Sequence, residues 1–148
     1  MNVRIIAVGK VKEKFLRRAV DMYLDRIGRY ARVEEVELKD GDEATVQERF
    51  EKAIPAERAR VVALEVDGKS WSSERLAAYL DEGQQSGAQS LVFLIGGSYG
   101  LPPAVSKAAD VRLSLSKMTL PHRLARIFLA EQIYRAMTIQ SGHPYHRV

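Results

Sequence analysis

The residues best suited to chemistry fall in two short loops and a tail. The first loop, Gly96-Gly97-Ser98-Tyr99-Gly100, follows the apolar run Ser90–Ile95. Its glycines let backbone approach a ligand closely, and free amides there can meet an anionic or carbonyl group. The run is not G-x-G-x-x-G, and it lacks the Lys-Ser/Thr of a P-loop. By itself it is equally a tight βα turn. The second loop runs from Ser114 to His122 (SLSKMTLPH). A rim of small polar and apolar residues without a carboxylate pair suits an apolar ligand such as adenine, held mainly by backbone groups. Alone, it is also a Pro-started helix entry. The tail, Ser141 to Val148, carries His143, Tyr145, His146 and Arg147. That set offers stacking, phosphate contact and proton transfer, all useful on RNA. A frayed terminus is the plain alternative.

Other chemistries are thin. With Cys 0 there is no disulfide framework, Cys-ligated zinc site or thiol nucleophile. Two tail histidines without a neighbouring carboxylate or Cys leave a metal ligand set incomplete, so no metal is expected. No acidic pair follows the first strand-like run, and no G-x-S-x-G nucleophile elbow occurs. No run approaches the roughly 18 apolar residues that span a bilayer, and no signal-peptide pattern opens the chain. A soluble cytoplasmic protein, with no membrane partner, is expected.

The length of 148 residues favours one domain. The net charge of +4 is unevenly placed. Residues 1–30 carry +5 and residues 121–148 carry +3, whereas residues 31–120 carry −4. Basic ends on a near-neutral body suit an anionic macromolecule such as nucleic acid, although a solvated surface has the same composition.

The loops need a frame, and the hydrophobic pattern supplies one. Apolar runs at 2–8, 61–66, 90–95 and 111–115 read as strands. Val33, Val36 and Leu38 mark a more polar strand suited to an edge, and Asp67-Gly68 closes the third. Helical spacing covers 13–29, with Phe15, Leu16, Ala19, Val20, Tyr23, Leu24 and Ile27 inward and Arg17, Arg18, Asp21 and Asp25 outward. Further helices are expected over 44–59, from Ser72 or Ser73 to Gln85, from Pro102 to Ala109, and over 122–140. Alternating strands and helices with continuous apolar strands give an α/β fold, its sheet covered on both faces. In such sheets ligands bind at the carboxyl ends of strands, where the loops after Val66, Ile95 and Leu115 lie. The last helix is apolar nearly all round, which predicts burial on several sides and a homodimer through it. Arg123 and Arg126 at its start are either RNA contacts or a solvated helix end.

Taken in order, Leu94–Leu101 (LIGGSYGL), Leu113–His122 (LSLSKMTLPH), Glu131–Ala136 (EQIYRA) and the His-Pro-Tyr-His-Arg ending resemble the bacterial ribosomal RNA large subunit methyltransferase H family. Arg4–Lys10 (RIIAVGK) and Asp67–Trp71 (DGKSW) fit as well, so the resemblance spans the chain. Ser98-Tyr99 departs from the family pattern. The resemblance implies a SPOUT-type parallel-sheet domain over 1–148, homodimeric, with a deep C-terminal trefoil knot in the cofactor-binding part, about 90–148. Connection rules would never propose a knot. It also implies S-adenosylmethionine bound by Leu64, Gly96, Gly97, Leu115, Ser116, Lys117, Met118, Thr119, Leu120 and Pro121. The activity implied is methylation of N3 of a pseudouridine in 23S rRNA, on a stem-loop of the assembled ribosome. For that reaction Tyr145 and Arg147 are expected to bind and align the nucleotide, and His143 or His146 to accept the proton. A nucleotide-binding enzyme that uses the glycine loop, and a non-catalytic ribosome-binding factor, are the rival readings.

Overall fold

Apolar side chains at nearly every position of two runs leave no face for water, and both runs become central strands. They are β1 (Asn2–Val8) and β4 (Ser90–Ile95), the latter buried along its whole length. The computed structural model describes residues 1–146; Arg147, expected to align the nucleotide, lies outside the described residues. The other strands are β2 (Arg32–Leu38), β3 (Ala59–Ser70) and β5 (Val111–Ser114). The helices are α1 (Lys14–Ile27), α2 (Glu43–Ala53), α3 (Ser73–Gln85), α4 (Pro103–Ala108) and α5 (His122–Ser141).

All five strands pair in parallel, in the order β2-β1-β4-β3-β5. The polar β2 is an edge, as its composition predicts. Successive residues of a strand point to opposite faces, so β1 and β4 feed two cores. Ile5, Leu91 and Phe93 pack with α1, α3 and α5 through Ile27, Leu80 and Ile133. Ile6, Val92 and Leu94 meet α2 and α4 through Phe50 and Val105.

Two boundaries and one side-chain orientation differ from the sequence expectations. Helix α2 stops at Ala53, because Ile54 precedes Pro55 and takes an extended conformation. Strand β3 does not close at Asp67-Gly68 but continues to Ser70. Both Leu64 and Lys69 pair with Leu113, so the strand bulges between them and regains its partner. Gly68 makes this crossing feasible, since a Cβ there would lie 2.8 Å from the Arg112 carbonyl. Finally, Phe15 is not inward: it is 71% exposed. The buried stripe of α1 runs through Leu16, Val20, Tyr23 and Ile27, and Phe15 sits about 100° off it.

Candidate functional site

At the carboxyl ends of β3, β4 and β5 the chain leaves a cleft of about 600 Å³, a size suited to a nucleoside-like ligand. Its walls come from Leu64–Val66, from Ile95–Ser98 with Gly100, and from Leu115–Ala125 without Lys117 and Leu124. The glycine loop folds back on itself: Gly97 N–H and C=O face Gly100, whose amide donates to the Gly97 carbonyl at 3.0 Å. A Cβ on Gly96 would lie 2.3 Å from the Gly100 carbonyl carbon, so only glycine closes this turn. Opposite it, Ser114 Oγ donates to the Ser116 carbonyl (2.9 Å), and Ser116 Oγ accepts from the Met118 amide (3.0 Å). These two local bonds hold the Ser116–Met118 turn against the cleft.

Of the ten residues expected to hold the cofactor, the structure gathers Leu64, Gly96, Gly97, Leu115, Ser116, Met118, Thr119, Leu120 and Pro121 around one cavity. Lys117 is exposed and is not on the wall. Adjacent residues point opposite ways across so tight a turn. Beyond those ten the cleft takes in Glu65, Val66, Ser98, His122 and Arg123; Ser98 and His122 lie in the two loops singled out in the sequence, whereas Glu65, Val66 and Arg123 lie outside them. Glu65 and Val66 were hidden in a strand, while His122 and Arg123 belong to the first turn of α5, which the Pro121 signal already located. Tyr99 is fully exposed.

Arg126 anchors that first turn. Its side chain is 1% exposed, so it is neither an RNA contact nor part of a solvated helix end. Its Nη1 donates to Glu35 Oε2 at 3.0 Å and to Glu37, while Nη2 donates to the Gly9 carbonyl at 3.0 Å. Arg17 joins from α1, donating to Glu35 at 2.5 Å and to Asp21 at 2.8 Å. The outward position expected for Arg17 is therefore wrong: the carboxylates of β2 draw it inward. Glu13 pairs with Arg123 alongside. Burial first, then the charges of Arg123 and Arg126, hold the His122 imidazole below its ordinary pKa. Its neutral form therefore faces the cleft at neutral pH.

The tail lies elsewhere. His143, Tyr145 and His146 do not line the cleft. A short 3₁₀ turn, Pro144–His146, docks instead on α5 and the start of α3. Tyr145 OH donates to Glu131 at 2.7 Å, and its ring packs edge-on against Tyr134. Burial and the Glu131 carboxylate push the Tyr145 phenol well above its ordinary pKa, so it stays a donor. His146 bridges Arg135 (Nδ1, 3.2 Å) and Glu74 (Nε2, 2.8 Å). A guanidinium only donates, so Nδ1 accepts and Nε2–H donates to Glu74. His143 Nδ1 accepts from the Tyr145 amide at 3.2 Å. In the docked tail both imidazoles have their lone pair engaged. Glu131 and Arg135 are six and ten residues beyond Ala125, which is about 9–15 Å along the helix.

The chain belongs to the SPOUT methyltransferase family: a family model described as "Predicted SPOUT methyltransferase" matches residues 1–146. Within that class, it is similar to curated proteins named Ribosomal RNA large subunit methyltransferase H. That from Sorangium cellulosum is 50% identical, over 98% of this chain and 99% of the relative. That from Bifidobacterium adolescentis is 45% identical, over 99% of this chain and all of the relative. Among solved structures, a probable methylase family protein from Haemophilus influenzae aligns with a TM-score of 0.56. At 11% identity, over 99% of this chain and 70% of that one, it shares the fold alone. Among the described residues no helix is long and apolar enough to cross a membrane.

Proposed function

We propose that this protein is an S-adenosylmethionine-dependent methyltransferase of large-subunit ribosomal RNA, acting on N3 of a pseudouridine in 23S rRNA of the assembled ribosome. One observation carries the reading: Leu64, the Gly96-Gly97 turn and the Ser116–Pro121 loop, far apart in sequence, form the walls of a single cleft. Relatives up to 50% identical over nearly the whole chain are named Ribosomal RNA large subunit methyltransferase H, which supports the reaction class and the RNA. The cleft fits the cofactor. Leu64, Ile95, Leu115 and Leu120 offer apolar walls for adenine, the Gly96–Ser98 turn offers close backbone, and Glu65 brings a carboxylate for a hydroxyl or a positive charge. S-adenosylmethionine, when bound, supplies an electrophilic methyl group for in-line displacement.

The chain's own residues then have distinct tasks. The loops exclude water and set the orientation. The imide N3–H must be lost as the N–CH3 bond forms, and His143 or His146 accepts that proton once its docked hydrogen bond is released. Tyr145 and Arg147 align the nucleotide. A homodimer supports this use of the tail, which sits beyond reach of its own cleft. Leu124 (45% exposed) and Phe128 (39% exposed) form, with Tyr23, Leu120 and Ile127, an apolar hollow on α1 and α5 that suits a second copy. The whole chain acts as one SPOUT domain, and a trefoil knot over residues 90–148 agrees with the run from Leu115 to Pro121 lying against both the Leu64–Val66 and Gly96–Gly100 walls. A cytoplasmic location follows from a ribosomal substrate.

The test is transfer of labelled methyl from S-adenosylmethionine to intact ribosomes lacking the modification, followed by nucleoside mass analysis. A 3-methylpseudouridine product is expected. Ribosome binding without transfer would make the protein a non-catalytic factor, and binding to neither ligand would return the cleft to another small molecule.

A further inference from the structure

Four cations beside the cleft have no ionic partner. Lys10, Lys12, Lys14 and Arg18 are all exposed, and none makes a salt bridge among the described residues. Six arginines elsewhere, Arg4, Arg17, Arg75, Arg123, Arg126 and Arg135, each hold a carboxylate, including both that flank the cleft at the start of α5. In the middle of the unpaired set stands Phe15, 71% exposed. The segment is fastened to the rim of the cleft at two points. Arg126 grips the Gly9 carbonyl, and Glu13 pairs with Arg123, itself a lining residue.

We propose that Phe15 with Lys10, Lys12, Lys14 and Arg18 is a contact surface for single-stranded RNA, Phe15 stacking an unpaired base while the cations take the flanking phosphates. The inference deepens the reading above and rests on it. An exposed aromatic ring among cations is the design by which proteins hold unpaired strands, since every base presents a π-face and every linkage a charge. A second copy of this chain is the weaker occupant. Charged residues are depleted in the cores of subunit interfaces, and a two-fold contact here would set four cations against four more. The apolar hollow at Leu124 and Phe128 carries no such burden. The surface would seat the strand beside the target nucleotide and read no sequence, leaving choice of base to the cleft.

The experiment uses the full chain, intact ribosomes lacking the modification for kinetics, and poly(U) RNA for filter binding across a salt series. F15A and F15L are each expected to raise KM for ribosomes about tenfold, the range of losing one stacked base. F15W should behave as wild type. The affinity for S-adenosylmethionine and the molecular mass in solution should not change in any of them. K10A/K12A/K14A should lower the slope of log affinity against log salt by about 2, the share of three single-strand phosphate contacts. An F15L protein that matches wild type, or an F15A protein that changes oligomeric state, overturns the proposal and gives Phe15 to a protein interface. If wild type transfers no methyl group to ribosomes, the functional reading fails on its own. The surface is then judged by poly(U) alone, where an unchanged salt slope in the triple variant overturns it.

Discussion

The cleft and the tail are both written in short dense motifs, yet different forces hold them. The cleft is made of backbone: a glycine turn that no side chain could enter, a serine turn closed by two local hydrogen bonds, and a strand end. Its distant supports come from the first turn of α5: the buried Arg126, which ties α5 to β2 and to Gly9 at the end of β1, and Arg123, which pairs with Glu13. The tail is held by side chains reaching from two helices, with Glu74 of α3 and Glu131 and Arg135 of α5 gripping His146 and Tyr145. Backbone-built sites are rigid by construction, whereas a chain terminus held by a few side-chain contacts, one of them the exposed His146–Glu74 bond, opens locally at smaller cost. A preformed cleft with a releasable tail fits an enzyme whose cofactor is small and whose substrate is very large.

The contrast is most exposed at Arg126. Arg126→Met leaves Glu35 and Glu37 near α5 without their buried partner, and should cost about 3–5 kcal/mol in urea unfolding. It should also weaken S-adenosylmethionine binding, because His122 and Arg123 belong to the anchored turn. A loss below about 1 kcal/mol, the scale of an exposed ion pair, would break the idea that the cleft leans on this network. Gly96→Ala should come next, at about 1–3 kcal/mol from forcing a methyl group against the Gly100 backbone. Calorimetric titration should show cofactor binding falling with it; intact binding would mean that the turn is not part of the site.

Deleting residues 143–148 probes the other side of the comparison. Cofactor affinity should stay within about twofold, as expected for sites that share no contacts, while turnover on ribosomes collapses. Unchanged turnover would remove the tail from the reaction. The smallest effect is a pH dependence at His122. Its folded pKa is depressed, so the stability it contributes is present above the ordinary histidine value near 6.5 and is lost as pH falls through the folded value. His122→Gln should flatten that acid-side decline in denaturation midpoints, and identical pH profiles for the two proteins would contradict the burial assigned here.

Much of this was legible in one dimension. Alternating apolar runs and helical spacings identify all five strands and five helices, because burial on both faces of a parallel sheet demands them. Edge placement of β2 follows from Glu34, Glu35 and Glu37, and nine of the ten cofactor residues share one wall. What escaped was partnership. The ion-pair partners among Arg17, Glu35, Glu37 and Arg126 are 18 to 91 residues apart, and each looks like an ordinary surface charge until the fold closes around them. Phe15 failed for the opposite reason, since its spacing fits the helix but its angle misses the neighbours.

The elements, the place of the ligand loops at strand ends and the family to which the chain belongs can all be read from the residue order. These depend on local pattern and on motifs that are contiguous. The packed chain alone reveals that Asp67-Gly68 is a bulge and not a turn, that Arg126 is core and not surface, and that the tail docks about 9–15 Å along α5 from its own cleft. Each of those depends on which distant groups meet, and charge pairing, close approach and reach are properties of the packed chain.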